Sequence, residues 1–157
     1  MDNYHSRGES AKKYFLDGYN CSQAVVLAFA DILPVDKSTL LTLSSSFGGG
    51  MGRLREVCGT VSGMFIVAGL LYGYSGPETG SVKAELYTKI QDLARRFEEA
   101  NGSIVCRELL GLKEKHSPPV PSPRTADFYK TRPCPELVAS AAVILDKFIS
   151  ENPIRNG

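Results

Sequence analysis

The sequence predicts an all-α fold: a single-domain bundle of about six helices around a central, glycine-containing apolar helix. Three observations lead there. Apolar residues recur at helical spacing in several separate segments, and no alternating apolar–polar run is long enough for a useful strand. Most helical segments open on a capping residue or a proline and close on glycine or proline. The most apolar stretch, VCGTVSGMFIVAGLLYGY (57–74), carries glycines four residues apart, a spacing that clears one helix face for close packing.

In chain order, residues 6–17 open at Ser6 or Ser10, place Ala11, Tyr14 and Phe15 on one face, and stop at Gly18. Asn20 caps a second helix, CSQAVVLAFADIL, whose stripe is Ala24, Val25, Ala28, Phe29 and Ile32 and which Pro34 ends. Ser38 caps a third through about Ser45. A glycine loop, residues 48–52, leads into a helix from about Glu56 to Tyr72 that is apolar nearly all round and therefore central. On it, Gly59/Gly63 and Gly69/Gly73 share a face; exposed, that face would serve a homodimer. SGPETGS is a turn. Residues 81–100 are the clearest amphipathic helix, with Val82, Leu86, Ile90, Leu93 and Phe97 inward, and Asn101-Gly102 ends it. Ser103 caps a short helix, IVCRELL. A proline-rich segment, 112–133, reads as one long loop, a lid or a partner segment. The chain closes on a striped helix with Pro135 in its first turn.

Composition narrows the function. The chain has 157 residues, 43% hydrophobic and 22% charged, which fits one domain, 1–157, with a real core. A net charge of +1 argues against nucleic acid as a partner. The polar start has no apolar signal core, and the 57–74 stretch is glycine-rich and broken by Thr60 and Ser62. The expectation is a cytoplasmic protein without a membrane span.

Four cysteines remain: Cys21, Cys58, Cys106 and Cys134. No CxxC or CxxH pair is present, and in a reducing compartment such scattered thiols are seldom structural disulfides. Each falls near the start of an expected helix, where unpaired amides and the helix dipole favour thiolate and lower its pKa. Arg53 and Arg55 before Cys58, Arg107 beside Cys106 and Arg132 before Cys134 would add to that. The loop residues Gly49, Gly50 and Gly52, with Arg53, form a candidate cofactor- or anion-binding turn, although the Lys-Ser/Thr of a phosphate loop is missing. The plainer reading of that loop is a flexible connector that lets the chain turn sharply; the other is a loop that leaves the Cys58 thiol accessible. His5 and His116 fit no Cys–His ligand pattern.

GYNCSQAV, then FGGGMG running into CGTVSG, then a cysteine before RELLG and a last one before the terminal helix resemble the C-GCAxxG-C-C family, whose name records redox activity inferred from four cysteines. The resemblance covers nearly the whole chain. It places the family's cysteines on Cys21, Cys58, Cys106 and Cys134 and its glycines on Gly59 and Gly63, with Thr60 where the motif has alanine. It implies four functional thiols.

Three functions are open. The first is thiol–disulfide redox chemistry in a thiol-dependent oxidoreductase, with Cys58 attacking, Cys21 resolving, Cys106 and Cys134 as the other pair, and a redox protein or small molecule as partner. The second is a four-cysteine zinc or iron–sulfur site, an electron carrier if iron-based. The third is a binding module without chemistry.

Overall fold

A computed structural model describes residues 3–77 and 80–154. Among them the fold is all-α, with no strand beyond one isolated antiparallel bridge, Val57 to Val105. There are eight helices rather than about six, the additional ones being short. The side chains of His5 and Ser6, and Glu78 and Thr79 of the SGPETGS turn, lie outside the described residues.

Helix α1 spans Asn3–Leu16, so Ser10 lies inside it rather than capping it, and Gly18 ends the segment at φ +110°. Helix α2 is Cys21–Leu27. Its cap is reciprocal: the Gln23 amide donates to the Asn20 side-chain oxygen at 2.8 Å, and the Asn20 amide donates to the Gln23 side chain at 3.2 Å. It ends earlier than the apolar stripe suggests and continues as a single 3₁₀ turn over Ala30–Ile32. A guanidinium from α1 intervenes there, Arg7 donating to the Ala28 carbonyl at 2.6 Å. Helix α3, Lys37–Ser44, is capped by Asp36, not Ser38; the carboxylate accepts the Thr39 amide at 3.0 Å and the Thr39 hydroxyl at 2.6 Å.

Helix α4, Gly59–Tyr72, is the central one, and its residues Gly59 to Met64, Val67, Ala68, Leu71 and Tyr72 are all buried. It starts after Glu56 because the bridge holds Val57 extended, with the Cys58 amide donating to the Ile104 carbonyl at 2.8 Å. Helix α5 is Gly80–Asn101, and α6 is Cys106–Leu110. Ser103 precedes α6 without being its cap; its hydroxyl accepts the Val105 amide at 3.0 Å and binds Glu108. The proline-rich segment contains α7, Ala126–Thr131, capped by the Thr125 hydroxyl. Helix α8, Cys134–Glu151, completes the chain.

The packing explains the sequence pattern. Helix α1 lies along α8, α2 lies on α4, and α5 covers both α4 and α8. One apolar cluster runs from Ala11 to Phe148. Phe29, Phe97, Phe148, Met64, Leu93 and Leu145 are fully enclosed, and each such side chain contributes about 1.5–3 kcal/mol. On α5, Leu93 and Phe97 are buried while Val82, Leu86 and Ile90 are only half-buried, so the helix's first half overhangs the core.

The Gly59/Gly63 face is where α2 seats. A Cβ at Gly63 would stand 2.9 Å from the Val25 Cβ and 3.0 Å from the Ser22 carbonyl oxygen; one at Gly59 would land on the Cys21 sulfur. These two glycines are spent inside the bundle, which removes them from the homodimer reading. Among the described residues no helix is long and apolar enough to cross a membrane.

Candidate functional site

All four cysteines line one cavity of about 330 Å³. Cys21, Cys106 and Cys134 are the first residues of α2, α6 and α8, and Cys58 is the residue that precedes α4. Four helix starts scattered along the chain therefore face a single space. All four thiols are free. Among the described residues no three His, Cys, Asp or Glu side chains are grouped to hold a metal ion.

The glycine loop is a fixed turn, not a flexible connector. Gly49, Gly50, Met51, Gly52 and Arg53 follow one another at φ between 62° and 72°, and Arg55 sits at 60°. The turn closes with the Gly52 amide on the Gly48 carbonyl at 3.0 Å. Left-handed backbone is nearly free for glycine but costs roughly 1–2 kcal/mol at each of Met51, Arg53 and Arg55. What holds it is a ladder of contacts. The Arg55 and Glu56 amides donate back to the Gly49 and Gly50 carbonyls at 3.3 and 3.0 Å. Across the cavity mouth, Ser117 N–H donates to the Arg53 carbonyl at 2.9 Å and Arg53 Nε to the Pro118 carbonyl at 2.6 Å. The proline-rich segment is thus clasped to the glycine loop and forms a wall of the site through Pro119, Pro121 and Ser122.

Of the expected anion-binding residues, Gly49, Gly52 and Arg53 line the cavity, and Gly50 lies buried beside it. A Cβ at Gly50 would stand 2.5 Å from the Cys106 Cβ and 2.9 Å from the Arg55 Cα, so only glycine fits. The Gly49 backbone amide does act on sulfur: it draws the Cys21 thiol's pKa down, against the larger effect of burial.

The expectation that every helix start lowers its thiol's pKa fails at three of the four. Burial pushes the Cys58 and Cys134 thiols up to about 12 and raises Cys21 as well. The Thr60 hydroxyl, 3.1 Å from Cys58 Sγ, and the Gly49 amide at Cys21 act in the other direction and are outweighed. Arg132 and Arg124 likewise pull Cys134 down, but less than desolvation pushes it up. The amides beside the thiols are also partly spent: the Cys106 N–H goes to the Glu56 carbonyl at 2.6 Å.

Cys106 differs from the rest. Arg55, only 4% exposed, places Nη1 3.6 Å from its sulfur, while Arg55 Nε donates to the Ser117 hydroxyl at 2.9 Å. Among the described residues Arg55 has no carboxylate partner. Its charge therefore serves Cys106, not Cys58 as the sequence order implies. Arg107, expected to act on Cys106, instead pairs with Glu56 at 3.2 Å. Proximity to the Cys106 sulfur is among the lesser causes that raise the Cys21, Cys58 and Cys134 thiols, well behind burial.

Sequence reasoning missed Arg124. Its guanidinium stacks 4.0 Å above the Phe15 ring and donates to the Phe15 and Tyr19 carbonyls at 3.0 and 3.1 Å, and it lines the cavity. The sequence carries no signal for this, since the partners lie more than a hundred residues away. His116 is exposed and away from the thiols.

A family model described as "Putative redox-active protein (C_GCAxxG_C_C)" matches residues 19–148, a span that holds all four cysteines. The chain belongs to this family. No curated protein and no solved structure matches it.

Proposed function

We propose that the protein is a thiol-dependent oxidoreductase that performs thiol–disulfide exchange in the cysteine-lined cavity. The observation that carries this is the gathering of all four free thiols on one accessible space, with a buried guanidinium against only one of them. Cys106, paired with Arg55, is the attacking thiolate. Cys134, half-buried at the cavity wall, is the resolving thiol. Cys21 is less suited, because its sulfur is packed tightly against Gly59 and burial raises its pKa. Cys58 belongs to the apolar core and supports the wall.

In the reaction, the Cys106 thiolate attacks one sulfur of a substrate disulfide, and the other sulfur leaves as a thiolate that takes a proton from water. Cys134 then loses its proton and attacks Cys106 Sγ, expelling the second substrate thiol. The substrate gains two electrons and two protons, and the protein is left with a Cys106–Cys134 disulfide. An external dithiol returns it to the reduced state.

The test is a thiol count with peptide mapping. One equivalent of disulfide should lower the free thiols from four to two and link the Cys106 and Cys134 peptides. Cys106→Ser should abolish the reaction, and Cys58→Ser should retain it. Four thiols unchanged after oxidant, or undiminished reaction in Cys106→Ser, would overturn the proposal.

A further inference from the structure

The arginines divide into two groups. Among the described residues Arg7 pairs with Asp31 and Asp146, Arg95 with Asp92 and Glu99, Arg96 with Asp92 and Glu151, and Arg107 with Glu56. The other four, Arg53, Arg55, Arg124 and Arg132, have no carboxylate within ion-pair distance, and all four line the cysteine cavity. Among the described residues no acidic side chain lines it. With a whole-chain charge of only +1, this is a local concentration of positive charge.

Their partners are neutral. Arg53 and Arg124 donate to backbone carbonyls, which orient a guanidinium without cancelling its charge. The Arg132 guanidinium lies 5.8 Å from the Phe128 ring centroid and makes no hydrogen bond among the described residues, the residue's backbone amide alone donating to the Phe128 carbonyl at 2.9 Å. Cations held together in a partly desolvated pocket favour an anion between them, and guanidinium geometry suits carboxylate. Arg55 answers the Cys106 sulfur; Arg53, Arg124 and Arg132 are left over. Leu109, Leu110 and Phe128 supply apolar surface for an organic body, and about 330 Å³ lies at the small end of ligand sites.

We infer that the cavity selects a small organic disulfide carrying carboxylates, held by Arg124 and Arg132 with its sulfurs toward Cys106. This rests on the thiol–disulfide reading for its chemistry but not for its binding. The electrons move as described above: the anionic disulfide is reduced to two thiols and the protein's dithiol is oxidised.

The experiment uses the reduced full-length protein and three disulfides of similar length: 3,3′-dithiodipropionate, bis(2-hydroxyethyl) disulfide and cystamine, which are dianionic, neutral and dicationic. Each rate is divided by the rate of the same disulfide with 2-mercaptoethanol. The anion should exceed the neutral compound by about tenfold, a binding difference a few screened ion pairs can supply, and the cation should fall below it. The anion-to-neutral ratio should drop severalfold in Arg132→Gln and with added salt. A flat or reversed ordering with thiols still oxidised overturns the selectivity and leaves the redox reading standing. Oxidation of no thiol by any of the three overturns the redox reading.

Binding alone is tested with suberate, a dicarboxylate of matching length without sulfur. It should slow iodoacetamide alkylation of Cys106, and less so in Arg132→Gln; no protection overturns the anion site. Tetrathionate outrunning dithiodipropionate after the same normalisation would overturn the organic assignment in favour of an inorganic anion.

Discussion

Cys58 and Cys106 stand on either side of the Val57–Val105 bridge. Each is 6% exposed, each marks a helix start, and each spends its own amide on a carbonyl across the bridge. Their surroundings diverge. Cys58 packs in the apolar cluster with a threonine hydroxyl as its nearest polar neighbour, and burial drives its thiol up to about 12. Cys106 has a buried guanidinium 3.6 Å away. The pair teaches that two helix starts at equal burial need not give their thiols alike surroundings: desolvation dominates at Cys58, while a cation stands against the Cys106 sulfur.

The strongest way to break this contrast is to push the two walls of Cys106 apart. Gly50→Val would force a β-branched residue into left-handed backbone and a Cβ to 2.5 Å from that of Cys106. A loss of about 3–5 kcal/mol is expected, seen as a fall in Tm on the order of 10 °C. Full stability in this variant would mean that the turn is not held as described.

Alkaline pH sharpens the contrast next. The Cys58 and Cys134 thiols titrate near 12 in the folded chain and near 9 when unfolded, so the native state keeps protons that the unfolded chain releases. Their contribution is complete below pH 9 and is lost as pH rises from 9 toward 12, at a limiting slope of roughly 1.4 kcal/mol per pH unit per thiol. Urea unfolding between pH 8 and 11 should show the decline, and Cys58→Ala should make it shallower. A decline of equal steepness in that variant would count against the burial of Cys58.

Removing the cation gives a smaller and more local effect. Arg55→Met should slow iodoacetamide alkylation of Cys106 by about tenfold at neutral pH while leaving Cys58 unreactive as before, and Arg55→Lys should recover part of the rate. Unchanged alkylation in Arg55→Met would detach the two residues. At the bottom of the range, Arg95→Ala on the solvent face of α5 should cost less than about 0.5 kcal/mol by thermal unfolding, because its carboxylate partners are exposed or nearly so.

Much of the scaffold was legible. Periodicity located α5 and α8 because their apolar faces repeat with the helical turn, while Gly18 and Asn20 marked the end of the α1 segment and the start of α2 through local backbone chemistry. Other boundaries were decided by competition between neighbours. Asp36 displaced Ser38 as a cap because its carboxylate reaches both the amide and the hydroxyl of Thr39. Helix α4 began late because Val57 found a partner at Val105, 48 positions along, which no local pattern announces. Helix α7 was hidden by the prolines around it.

The sequence by itself determined that this protein is helical, that its most apolar helix is central, and that four cysteines fall at helix starts, since these follow from side-chain periodicity and from backbone groups within a few residues of one another. Only the tertiary structure decided which thiol has a cation against it and which charges line the site. A thiol's ionisation and a pocket's charge depend on burial and on cations a few ångströms away in space, and Arg55, Arg124 and Arg132 reach the cavity from segments that only folding brings together.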